Sequence, residues 1–152
     1  MQRQKKSWNA HGDVYMHKPL PFLDTNIFLR HLTGDIPEQA QKATSFFEKI
    51  ERGELKAVTS DIVVLETVWT LGRYYKKNKQ EIRDALLPLL ELTHIHIPGK
   101  RRLRRVFDLY VGLNIPFADA YIIVFMEKNN LNQIVSFDHE FDKVEGIERK
   151  EP

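Results

Sequence analysis

The sequence predicts an α/β fold: a single domain with a central parallel β-sheet of about five strands, flanked by helices on both faces. Three observations predict it. Strand-like and helix-like segments alternate along the whole body of the chain. The strand segments are near-continuous apolar runs, as strands buried on both faces must be. The length of 152 residues, 42% of them hydrophobic, suffices for one core and not for two. Residues 1–18 are polar and show neither periodicity, so they read as a flexible N-terminal extension, with 19–152 as the domain.

From Pro19 the elements follow in order. Pro21 to Asp24 is a short apolar strand, and Asn26–Leu32 a short helix. Pro37 stands where a first helical turn tolerates proline, opening a helix that runs to about Arg52 and stops at Gly53. Ala57 to Thr59 is the second strand, and Ser60 is expected to cap an apolar helix from Asp61 to about Tyr75. Gln80–Leu92 is a helix and His94–Ile97 a third strand. Lys100–Val111 is amphipathic, with Leu103, Val106, Phe107 and Tyr110 on one face and Gly112 as its stop. Phe117–Lys128 is an apolar helix ending at Asn129 and Asn130. Gln133–Phe137 is the fourth strand, Asp138–Asp142 a helical turn, and a last strand lies near Ile147.

Composition excludes several classes. The chain has no Cys, so disulfides, iron–sulfur clusters and thiolate zinc sites are ruled out. No run approaches the roughly 18 apolar residues of a membrane span, and no apolar stretch follows the basic Met1–Lys6. A cytoplasmic protein without membrane association is expected. The net charge of +2 is unevenly placed: residues 1–18 carry +3, while the rest holds 19 basic and 20 acidic residues. Bulk charge therefore makes no case for nucleic acid.

Four carboxylates stand where charge is costly or poised. Glu66 has Ile62, Val63, Trp69 and Thr70 three and four residues away on its helix, and Asp119 has Ile115, Pro116, Ile122 and Ile123. A buried carboxylate must neutralise, pair or bind metal. Asp24 and Asp138 each end a strand, at the sheet edge where open parallel sheets bind ligands. Glu66 lies one helical turn past the second strand and reaches the same edge. Four carboxylates without a nearby His ligand describe a site for a hard cation, Mg²⁺ or Mn²⁺. Each acid has a plainer reading too. Asp24 and Asp138 read as helix N-caps, Glu66 as an ion-pair partner of an arginine, and Asp119 as favoured by a helix macrodipole. One metal site accounts for all four at once.

At these residues the chain resembles the PIN-domain nucleases, and among them the VapC-like toxins of bacterial and archaeal toxin–antitoxin pairs. Phe22-Leu23-Asp24-Thr25-Asn26 is similar to the family's first motif and Val64-Leu65-Glu66-Thr67-Val68 to its second. Phe117-Ala118-Asp119-Ala120-Tyr121 is similar to the third and Val135-Ser136-Phe137-Asp138 to the fourth. The likeness covers about residues 19–150, in order; the N-terminal extension departs from it. It implies a metal-dependent endoribonuclease, a homodimer held in check by a small antitoxin protein. It carries over Asp24, Glu66, Asp119 and Asp138 as catalytic metal ligands. Ser136 takes the family's Ser/Thr position and Asn26 the position that orients Asp24; Asp142 is a further acid nearby. The hydroxyls of Thr25 and Ser136 suit a ligand water or a phosphate oxygen. A PIN-type RNA-processing nuclease outside a toxin pair fits the same motifs.

Other features divide between function and plain structure. The run Lys100-Arg101-Arg102-Leu103-Arg104-Arg105 reads as a solvated helix face or as a track for RNA phosphates or an antitoxin. Arg73, Lys76, Lys77 and Lys79 pose the same choice. His94 and His96 lack a third metal ligand, and Trp69, Tyr74, Phe46 and Phe47 read as core or dimer-interface aromatics. A phosphatase-like or receiver-like domain also clusters Asp around Mg²⁺, but Asp24-Thr25-Asn26 lacks a second Asp two residues on. A non-catalytic α/β binding module, its acids serving as caps and ion pairs, would be indifferent to chelators.

Overall fold

The structure is a computed structural model; it describes residues 19–152 and the backbone of two dipeptides nearer the N-terminus. Those dipeptides, β1 (Ser7–Trp8) and β2 (Val14–Tyr15), pair antiparallel. The rest of the expected extension lies outside the described residues.

In chain order, the body is α1 (Thr25–Thr33), α2 (Pro37–Glu51), β3 (Ala57–Val58), α3 (Asp61–Arg73), α4 (Lys79–Leu90), β4 (Ile95–His96), α5 (Leu103–Gly112), α6 (Phe117–Lys128), β5 (Gln133–Val135) and β6 (Glu148–Lys150). Local chemistry explains the ends. Gly34 terminates α1 in a left-handed conformation (φ 66°), with its N–H donating to the Arg30 carbonyl, and Pro37 opens α2. Asn78 and Glu81 form a reciprocal capping box at the start of α4. Ser60 stands at the N-cap position of α3 but makes no capping bond, and its Oγ is buried without a protein partner. The Asp61 carboxylate instead takes the Ile62 N–H.

All strand pairing in the body is parallel, as expected. The continuous sheet is not seen: it resolves into two short pieces among the described residues. In the first, β3 lies between β4 and a one-residue bridge at Phe22. The Leu23 N–H donates to the Val58 carbonyl at 2.8 Å, and the Thr59 N–H to the His96 carbonyl at 3.0 Å. In the second, β5 pairs with β6, Ile134 opposite Arg149. Two or three residues per strand suffice here because the helices supply most of the core. Helix α1 packs on α2, α3 and α4, and α6 packs on α3 and α5. Phe28, Ile50, Leu86, Leu90, Phe107 and Ile123 are fully buried.

Exposure corrects part of the sequence reading. Phe47 belongs to the core and Phe46 packs against it, but Trp69 is 65% and Tyr74 74% exposed, so neither is a core aromatic. The Lys100–Arg105 run is not a uniform solvated face. Lys100 is half-buried and donates to the carbonyls of Leu92 and Ile95, which closes the turn into β4. Arg104 pairs with Glu91 at 2.6 Å and Arg105 with Glu127 at 2.8 Å.

Phe107 meets Phe117 (centroids 4.9 Å apart) and Tyr110 (6.4 Å) in the α5–α6 core. Phe107→Ala is expected to lower unfolding free energy by about 3–5 kcal/mol in urea denaturation. Tyr74→Ala, on the open surface, is expected to stay within about 0.5 kcal/mol of the parent.

Candidate active site

The four acids sit on or beside four elements that the fold ties together with hydrogen bonds from hydroxyl donors and from Lys79 and Arg149. Asp24 follows the Phe22 bridge and stands at the N-cap position of α1, yet its side chain makes no capping bond. The cap reading of Asp24 therefore fails, and its carboxylate faces the surface with Asn26 Nδ2 3.4 Å away. Thr25 is buried and donates its hydroxyl to the Glu66 carboxylate, linking α1 to α3. The Thr59 hydroxyl donates to the Leu23 carbonyl at 2.9 Å, fixing the strand end that presents Asp24.

Glu66 corrects the sequence argument. Its face of α3 is not buried: Glu66 is exposed, as are Ile62 and Trp69 beside it. Among the described residues its partner is the Thr25 hydroxyl and not an arginine. Of the apolar neighbours that suggested burial, Val63 is in the core but Ile62 and Trp69 are on the surface, which periodicity alone does not reveal.

Asp119 lies in the first turn of α6, the position the macrodipole reading requires, but its other surroundings disfavour the charge. Partial burial pushes its carboxyl above the ordinary carboxylate range, and the nearby charges of Asp138 and Glu140 push it the same way. Asp138 follows β5 and does act as a cap, its Oδ1 accepting the Glu140 N–H at 2.9 Å while its own N–H donates to Ser136 Oγ at 3.0 Å. Glu140 was not singled out from the sequence. Its position two residues after Asp138, inside a short helical turn, is the signal that points to it.

Asp142 is committed elsewhere. Arg149, on β6, donates to Asp142 at 2.9 Å and to the Ser136 carbonyl at 2.9 Å, and His139 Nδ1 lies 2.8 Å from Asp142. Hydrogen bonds from Arg149 and His139 hold the Asp142 carboxyl below its usual range. This set of bonds braces the turn that carries Asp138. A second brace sets α6: the Tyr121 hydroxyl donates to Asp61 at 2.9 Å, and Lys79 Nζ donates to the Ile115 carbonyl at 2.6 Å just before the helix.

Two groups result. At the start of α1, Asn26 donates to Asp24 and Thr25 to Glu66; Asp119, Asp138 and Glu140 form an electrostatic group. Helix α3 bridges them, packing on α1 and on α6. Among the described residues, no three Asp, Glu or His side chains are drawn together tightly enough to constitute a finished metal cage. Mutual repulsion of like charges favours that looser spacing.

The raised affinity of Asp119 for its proton fixes a sign. A carboxyl with a higher pKa folded than unfolded contributes stability that is present below the unfolded range and lost as pH rises through the folded value. In metal-free protein, the Asp119 side-chain carbon signal is expected to titrate above ordinary aspartates by NMR, and Asp138→Asn to bring that midpoint down. An unchanged midpoint would remove Asp138 from the cluster.

A family model of the PIN domain matches residues 22–147, a span that includes all four acids. A VapC ribonuclease of Aquifex aeolicus (strain VF5) is 26% identical over 125 residues, covering 82% of this chain and 92% of that relative. The family match takes in both parallel ladders' first strands, helices α1 to α6 and the turn bearing Asp138. The chain belongs to the PIN-domain family.

Proposed function

We propose that this chain is a metal-dependent endoribonuclease and the toxin of a type II toxin–antitoxin pair. The observation that carries the reading is the crowding of Asp119 by Asp138 and Glu140; the Thr25 hydroxyl holding Glu66 on the adjoining helix α3 supports it. Glu140 pairs with Lys143 at 2.7 Å, but Asp24, Glu66, Asp119 and Asp138 have no ion-pair partner among the described residues, which suits a cation site better than a structural one. The donors are all oxygen, which suits Mg²⁺ or Mn²⁺. Asp24, Glu66, Asp119 and Asp138 would hold the ion. When bound, the ion supplies charge neutralisation on the phosphate and lowers the pKa of an attacking water.

The chain's own groups do the rest. Thr25 aligns Glu66, and Asn26 restrains Asp24. Ser136, already accepting the Asp138 N–H, has its hydroxyl proton available for a phosphate oxygen or a water. A protonated Asp119 would surrender its proton as the cation enters, so affinity for the ion rises with pH. The same reading joins the two parallel ladders into one five-stranded sheet with helices on both faces. It also brings a homodimer, a small antitoxin partner and a cytoplasmic setting. No helix among the described residues is long and apolar enough to cross a membrane.

The test is cleavage of a pool of structured RNAs with Mg²⁺ or Mn²⁺. Cleavage by the parent is expected to stop with EDTA and to fall about 100-fold or more in Asp24→Asn and in Asp119→Asn. Cleavage that is insensitive to EDTA would overturn the metal assignment. Cleavage without growth arrest on expression would favour an RNA-processing nuclease outside a toxin pair.

A further inference from the structure

Beside the carboxylates lies a groove that the hydrolysis itself does not require. It has a volume of about 360 Å³ and lies between α3, Tyr110 of α5 and the first turn of α6. The floor is apolar and aromatic: Val68, Tyr110 and Phe117 are buried, and the rings of Tyr110 and Phe117 meet edge to face 5.4 Å apart. Trp69 lines it while remaining largely open to solvent, and Arg73 stands at its rim. Ala118 closes it immediately before Asp119.

The groove is continuous with the candidate active site. Trp69 and Arg73 lie three and seven residues after Glu66, so both fall within about 60° of it around the helix. Along the axis they stand about 4.5 and about 10.5 Å from it. A planar ring seated against Trp69 would therefore have the carboxylates at one end and a guanidinium at the other. Below the floor, Lys79 Nζ lies 4.8 Å from the Tyr110 ring centre and adds positive charge. Of the basic run, Lys100, Arg104 and Arg105 are engaged within the chain, whereas Arg101 is exposed, as are Lys76 and Lys77 beyond the end of α3. Single strands are held by aromatics on which bases stack together with basic side chains that meet the backbone.

We infer that this groove receives one unpaired nucleobase of the RNA strand, stacked on Trp69, with Arg73 meeting the phosphate beyond it. The inference rests on the nuclease reading above and adds a substrate subsite to it. It selects for single-stranded or looped RNA, because a base paired in a duplex does not present its face.

The experiment uses the full chain with Trp8→Phe, which leaves Trp69 as the sole tryptophan of the two present. Single-stranded oligoribonucleotides are expected to quench its emission, and a strand of abasic ribose-phosphate to do so far less. In cleavage assays, Trp69→Ala is expected to raise the half-saturating RNA concentration about 5- to 100-fold with a smaller change in kcat, and Trp69→Phe to restore most of it. A parent that cleaves RNA, with Trp69→Ala matching it in both constants, would overturn the subsite and leave the nuclease reading standing. A parent that neither cleaves nor is quenched by RNA overturns both. Sedimentation at the same concentrations covers the remaining occupant: if Trp69→Ala dissociates a dimer and higher protein concentration restores its kinetics, the groove seats a second copy and not a base.

Discussion

Carboxylates repel one another, and this fold nevertheless holds Asp119 within the field of Asp138 and Glu140. Asp119 shows the effect directly, since burial and the charges of Asp138 and Glu140 raise its proton affinity together. The supports around it are mostly neutral. A threonine hydroxyl holds Glu66, a serine hydroxyl receives the Asp138 N–H, and a tyrosine hydroxyl ties α6 to α3. Where an arginine is used, as Arg149, it braces the Asp138 turn through Asp142 and the Ser136 carbonyl. Direct ion pairing of the site acids would quench the charge that makes the cluster useful. Neutral donors fix geometry and leave that charge in place.

The helical frame explains how short strands can do this. β3 and β4 make only two-residue ladders, but the ends of those ladders are clamped by Thr59 and by the Lys100 contacts to the carbonyls of Leu92 and Ile95. α1 starts just after the Phe22 bridge and brings Thr25 with it, and α6 carries Asp119 in its first turn. Phe28 and Ile123, both fully buried, anchor these two helices in the core.

Most of the order of elements was legible in the sequence, because it rests on local signals. Pro37 and Gly53 mark the two ends of α2 by backbone chemistry, and the α5 stripe marks a buried face by its period. The acids were legible because Glu66 and Asp119 stand among apolar neighbours and Asp24 and Asp138 end strands, so that one site accounts for all four. Their exposure was not. Ile62 and Trp69 made the Glu66 face look buried, and only tertiary packing shows that this stretch of α3 is left open. The fate of the basic run was hidden for the same reason: Glu91 and Glu127, the partners of Arg104 and Arg105, come from other helices. Glu140 and Arg149 matter through neighbours brought near by folding, which a single chain pattern does not encode.

The central claim is that acids from four separate elements serve one cation. Titration calorimetry of the parent with Mn²⁺, at a pH above the Asp119 midpoint, tests it most directly when repeated on Asp24→Asn, Glu66→Gln, Asp119→Asn and Asp138→Asn. The account expects saturable binding by the parent that each single substitution weakens, with no change in thermal unfolding large enough to signal misfolding. Absence of binding in the parent, or binding that all four folded variants retain, would contradict it.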